Sequence, residues 1–71
     1  MIQYVIYFNP FDFPGLYVCR PWLITAGAMT PMRFACIAAT IEELRWPFER
    51  LGLYRLDRHR DDDVSIVEIW F

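Results

Sequence analysis

Only one stretch of this chain has the pattern of a helix, and it is short. Thr40-Ile41-Glu42-Glu43 is a capping box, in which a threonine hydroxyl and a glutamate three residues on can each satisfy an amide at the helix start. Ile41, Leu44, Phe48 and Leu51 follow at spacings of three and four, which places them on one helical face. Pro47 cannot donate to the Glu43 carbonyl, so a kink or restart is expected there, and Gly52 suits the left-handed residue that ends a helix. Every other apolar run has to find its cover with this single helix available.

Those runs have the character of strands. Ile2 to Phe8 is rich in aromatic and β-branched residues and is stopped by Asn9-Pro10. Asn9 to Gly15 is a wide turn in which Asn9 and Asp12 can bond their own backbone and Pro14-Gly15 fits the centre of a type II turn. Leu16 to Ile24 returns as a second strand, and Pro21 places it at an edge or at a bulge. Thr25 to Met32 is small and turn-like, and Arg33 to Ala38 is a short third strand. After the helix, Leu53 to Arg58 is a fourth strand, His59 to Asp63 a charged turn and Val64 to Phe71 a fifth strand. The order β-β-(β)-α-β-β, without repeats or linkers, predicts a single α+β domain over residues 1–71. Its antiparallel sheet has four or five strands, with one helix packed on one face.

Seventy-one residues are close to the lower limit for a self-sufficient core. A compact chain of this mass exposes about 4,700 Å² and buries about 60% of its extended surface. Apolar burial then contributes on the order of 110 kcal/mol, and ordering the chain at ~1.5 kcal/mol per residue costs about the same. Hydrophobic residues make up 56% of the chain, more than so small an interior can hold, so some must lie at the surface as a contact patch. A homodimer is the expected remedy.

Strand parity suggests where that contact lies. Ile2, Tyr4, Ile6 and Phe8 share one face of the first strand. Leu16, Val18, Arg20, Trp22 and Ile24 share one face of the second, and Ile66, Glu68 and Trp70 one face of the last. Both faces are largely apolar and one helix covers only one of them. The face away from the helix is expected to carry Arg20, Trp22, Arg55, Glu68 and Trp70, types enriched at interaction hot spots.

Other chemistry is thinly represented, and no catalytic, metal-binding or cofactor-binding residue is assigned. The net charge is −2 and all seven basic residues are arginine, which removes Schiff-base and Walker-type lysine chemistry; a GC-rich coding sequence produces the same bias. The run Asp57-Arg58-His59-Arg60-Asp61-Asp62-Asp63 could hold a divalent cation for hydrolysis, but its position in a turn, among neutralising arginines, favours a solvated hairpin tip. His59 is the only histidine and Ser65 the only serine. Arginines interleaved with aromatics admit a small nucleic-acid-binding accessory protein as the alternative function, against an acidic balance and no recognisable motif. Cys19 and Cys36 form no CxxC or Cys/His cluster and are expected to be free, buried thiols in a cytoplasmic protein, with a disulfide between them as the less favoured alternative. The first apolar run is too short for a membrane helix and lacks a basic flank.

The stretches YVIYFNPFDFPGLYVCRPW, TIEEL and GLYRLDRHRDDDVSIVEIW resemble a group of short uncharacterised bacterial and phage-associated proteins. That group shares the pattern YVVYxNPxDYPGxFVVRxW, TxEEAR and PPGLYRLxRxxxDDPxIVEVW. The resemblance covers most of the chain except Thr25 to Met32 and departs at Arg45 to Leu51, where the group is rich in alanine and proline. It implies a self-contained domain in a phage or prophage context and carries no activity. The expected function is therefore a non-enzymatic interaction protein that self-associates through a sheet face or edge.

Overall fold

A computed structural model describes residues 1–71. The elements are β1 (Ile2–Phe8), β2 (Tyr17–Thr25), β3 (Ala28–Pro31), β4 (Cys36–Ala38), α1 (Ile41–Arg50), β5 (Arg55–Asp57) and β6 (Ile66–Trp70). All pairings are antiparallel and the order is β3-β2-β1-β6-β5, with β4 also on β2. The α+β class with one helix on an antiparallel sheet is thus as the sequence predicts, with six strands in place of four or five.

The added strand comes from Thr25–Met32, which is an ordered hairpin rather than a loose turn. Thr25 pairs with Ala28 across a two-residue loop, Ala26-Gly27, in which Gly27 takes a left-handed φ of 83° that other residues adopt only with strain. β3 and β4 then lie end to end along the outer side of β2, opposite Trp22–Thr25 and Tyr17–Cys19 respectively. Pro21 falls in the gap between them. Its carbonyl accepts from the Met32 amide at 3.0 Å on that side, so its missing N–H also points where no ladder bond is required.

The β1–β2 connection follows its residue types. Asn9 is left-handed at φ 54° and its Oδ1 accepts from the Gly15 amide at 2.6 Å. The Leu16 amide closes onto the Phe13 carbonyl across Pro14-Gly15, with Gly15 at φ 77°. At the other end of the chain, β5 is shorter than the predicted Leu53–Arg58. Tyr54 and Phe71 nevertheless exchange amide bonds of 2.8 and 3.0 Å, adding one pair to the β5–β6 ladder.

α1 begins at the capping box, where the Thr40 amide donates to Glu43 Oε2 at 3.3 Å. The helix runs through Pro47 without interruption. The Glu43 carbonyl that loses its donor belongs to an exposed residue, so water can replace the bond. Leu44 and Phe48 are buried against Ile6, Cys19 and Trp70, with the Phe48 ring 4.8 Å from Tyr4 and 5.6 Å from Trp70. Leu51 has the right spacing for this face but sits at the C-cap, past the last turn that touches the sheet, and is 71% exposed.

The two positions separate packing from periodicity. Phe48→Ala is expected to lower unfolding stability by about 3 kcal/mol in denaturant melts. Leu51→Ala should change it by less than about 0.5 kcal/mol, because almost no buried surface is lost.

Candidate functional site

Register, rather than parity, decides what shares a face. β1 pairs with β2 as Tyr4↔Pro21 and Ile6↔Cys19, and with β6 as Tyr4↔Trp70 and Ile6↔Glu68. Even-numbered residues of β1 therefore lie beside odd-numbered residues of β2 and beside Glu68 and Trp70 of β6. A bulge between Ile6 and Tyr7 instead sets Ile66 opposite Tyr7, apart from the face it was expected to share with Glu68 and Trp70. The helix covers this side. Arg55↔Trp70 places Arg55 there too.

The five candidate interface residues are consequently divided by the sheet. Arg20 and Trp22 lie on the uncovered face, as expected. Glu68, Trp70 and Arg55 lie on the helix side, which corrects the sequence reading. Trp70 is 5% exposed and Glu68 only 2%. A charged residue in place of Trp70 would strike the core.

Glu68 is the best-connected side chain of the covered face. Its two oxygens accept from Arg45 Nε at 2.7 Å and Nη2 at 2.9 Å, a bidentate pair reaching from α1 to β6. The Trp70 indole donates to Oε1 at 3.1 Å, and Arg55 Nη1 lies 3.8 Å from Oε2. Burial by itself would push the Glu68 carboxyl up. The Arg45 and Trp70 hydrogen bonds and the charges of Arg45 and Arg55 outweigh it and hold the group below its ordinary value. Arg45 escaped the sequence reading, although its place four residues after Ile41 and three before Phe48 puts a cation within the apolar stripe.

Beside this network is an apolar pocket of about 210 Å³, lined chiefly by Tyr4, Cys19, Pro21, Phe34, Leu44 and Phe48. Cys36, Glu43 and Pro47 also line it. Cys19 is buried and free, as expected. Cys36 is free but exposed, because β4 is an edge strand with nothing beyond it. Burial, with the neighbouring Cys36 thiol, pushes the Cys19 thiol up to about 12.

The opposite face has no covering element. Cross-strand partners place Tyr7 and Val18, Val5 and Arg20, and Val5 and Ile69 together on it, with Leu56 beside Ile69 and Met29 beside Ile24. Val5 and Val18 are buried beneath these larger neighbours. Arg20 Nη2 donates to Asp12 Oδ2 from the β1–β2 turn. The Trp22 Nε1 is buried without an acceptor, so the part of this ring that meets solvent is hydrocarbon. Leu56 is 51% and Met29 59% exposed.

The charged turn is built as a backbone device. The His59 amide donates to Asp62 Oδ2 at 2.9 Å, and the Ser65 amide and hydroxyl donate to Asp63 Oδ1 at 2.9 and 2.8 Å. These Ser65 bonds lower the Asp63 carboxyl. Arg58 donates to the Asp62 and Asp63 carbonyls at 2.7 and 3.2 Å. No group of three or more His, Cys, Asp or Glu residues is arranged to hold a metal ion. Among the other arginines, Arg50 stacks over Trp46 at 5.0 Å, so five of the seven (Arg20, Arg45, Arg50, Arg55 and Arg58) are engaged within the chain. No helix is long and apolar enough to cross a membrane.

In comparisons with known proteins, the chain matches no family model, no curated protein and no solved structure.

The Glu68 network predicts an acid-sensitive fold. Its carboxyl is depressed in the folded chain, so the stabilisation is present above the ordinary value of 4.5 and is lost as pH falls below it. Glu68→Gln should remove this part of the pH dependence. Glu68→Ala should cost about 2–3 kcal/mol at pH 7, somewhat less than a fully buried pair because Arg45 can turn toward water. Urea melts at pH 7 and pH 4 measure both.

Proposed function

We propose that this chain is a non-enzymatic interaction protein that forms a homodimer through the sheet face opposite α1. The observation that carries the reading is an apolar sheet face, formed by Tyr7, Trp22, Ile24, Met29, Leu56 and Ile69, over which no element of the chain packs. The accessible surface, 5162 Å², is about 10% above that of a compact monomer of this mass.

A second copy is a fitting occupant because the areas agree. The 31 strand residues, at about 3.4 Å each along strands about 4.8 Å apart, present about 500 Å² per copy, or about 1,000 Å² for the pair, the threshold of a credible interface. Two such faces would pack about 10 Å apart, as sheets do in a sandwich. Pairing by edges is disfavoured by the residues there: β3 ends in Pro31, and β5 carries Arg55 and Asp57 with a short, charged outer side. The unbridged cysteines suit a reducing cytoplasm.

Sedimentation of the wild-type chain at tens of micromolar should give a dimer. Leu56→Arg leaves the core untouched and should weaken association at least tenfold, about 1.4 kcal/mol, with an unchanged circular dichroism spectrum. Trp22→Glu should do the same and also lower Tm. A wild-type monomer across this concentration range would refute the reading, as would a Leu56→Arg dimer of undiminished affinity.

A further inference from the structure

Cys19 and Cys36 are separated by sixteen residues in the sequence, which alone favours free thiols over a disulfide. The β2–β4 register makes them direct cross-strand partners. Residues so opposed in an antiparallel ladder have Cα atoms roughly 4.5–5.5 Å apart with side chains on one face, inside the roughly 4.4–6.8 Å window of a disulfide. Both side chains line the same pocket, and neither is bonded. They also differ in access, since Cys19 is 4% exposed whereas Cys36 is open to solvent.

We propose that Cys19 and Cys36 form a two-thiol redox site, which a small-molecule disulfide oxidises to a cross-strand bridge between β2 and β4. The order of events follows from access. The Cys36 thiolate attacks one sulfur of the reagent RSSR, forms the mixed disulfide Cys36–S–S–R and releases one RS⁻. The Cys19 thiol gives its proton to solvent and attacks the Cys36 sulfur, and the second RS⁻ departs. Two cysteine thiols are oxidised, one RSSR is reduced to two thiols, and the bridge is the only new bond in the protein.

The second step relies on proximity. Burial keeps Cys19 almost wholly protonated near neutrality, so an external disulfide finds little thiolate to react with. Within the mixed disulfide the attacked sulfur is already in contact range, and an effective concentration of this kind offsets a scarce nucleophile. Tyr4, Cys36 and Glu43 are the titratable groups that line the pocket around Cys19. Bridging would anchor the edge strand β4, whose residues are otherwise mostly exposed, to the buried strand β2. It would also close the loop between them.

The experiment treats the reduced wild-type chain with an aromatic disulfide whose thiolate is coloured, and follows colour and intact mass. Two equivalents of thiolate per chain are expected in two phases, ending in a product two hydrogens lighter than the reduced chain and free of adduct. Peptide mapping should join Cys19 to Cys36 within one chain. Cys19→Ala should release one equivalent and retain the mixed disulfide at Cys36, and Cys36→Ala should react slowly. The bridged form should melt higher by roughly 10 °C, as closing a loop of this size does. A wild-type chain that keeps a stable adduct at Cys36 after one equivalent overturns the proposal, and so does a bridge that joins two chains. Neither result requires a variant to fold.

Discussion

One buried carboxylate holds the two layers of this fold in register. Glu68 points from β6 into the covered face and takes both donors of Arg45, which reaches down from α1. The helix has only Leu44 and Phe48 fully committed to the core, and a contact of two apolar side chains is tolerant of sliding. A bidentate ion pair is not, because a small displacement would strand a desolvated carboxylate. The Trp70 indole completes the arrangement by donating to the same oxygen, so the largest aromatic of the core is oriented by the same group that positions the helix. Arg55 adds a second cation from the neighbouring strand. The arrangement fixes which side of the sheet is covered and, by exclusion, which side is left open.

What could be read from the sequence was local. The helix, its capping box, the Pro14-Gly15 turn and the strand cores carry their own signals in adjacent residues, and each lies close to its expected place. Parity within each strand was legible too: Ile2, Tyr4, Ile6 and Phe8 do share a face. The joining of faces across strands was not. It depends on whether partner numbers in the β1–β2 and β1–β6 pairs sum to odd or even values, and one residue of slip transfers every side chain to the other side. That is why Arg20 and Trp22 were placed with Glu68 and Trp70, from which the sheet separates them. The hairpin at Ala26-Gly27 was missed for a different reason. Small residues such as Ala28 and Thr30 give little hydrophobic pattern, and pairing with β2 imposes their strand conformation.

The two faces that result have different physical characters. On the helix side, the polar groups of Glu68, Arg45 and Trp70 satisfy one another, and the apolar pocket lies beside them. On the other side, Val5 and Val18 are hidden by the bulk of Tyr7, Arg20, Ile69 and their neighbours. The chain therefore buries small residues in the open face by overlaying them with large ones, at the cost of presenting those large ones to water. Salt bridging between Arg20 and Asp12 moderates the charge at the side of this patch without placing a covering element over it. The β3 and β5 edges that flank this surface are blunted against strand addition by Pro31, Arg55 and Asp57.

At the β4 edge the pocket and the open face lie one residue apart. β4 is three residues long and alternates, so Cys36 turns to the pocket and Ile37, paired with Val18, turns to the open side. It has a partner on one side only, and its first two residues are exposed. Such a strand is held mainly by its ladder to β2 and by its contact with α1, which makes it the least constrained part of the sheet that still contributes to both surfaces. Its neighbour along the same edge, β3, is tied to β2 by a tight two-residue turn, whereas β4 is reached through the longer segment Met32–Ala35. A constraint applied at Cys36 acts across the ladder on Cys19, itself a member of the core with Ile6, Leu44, Phe48 and Trp70, and lies one residue from Ile37 on the open face.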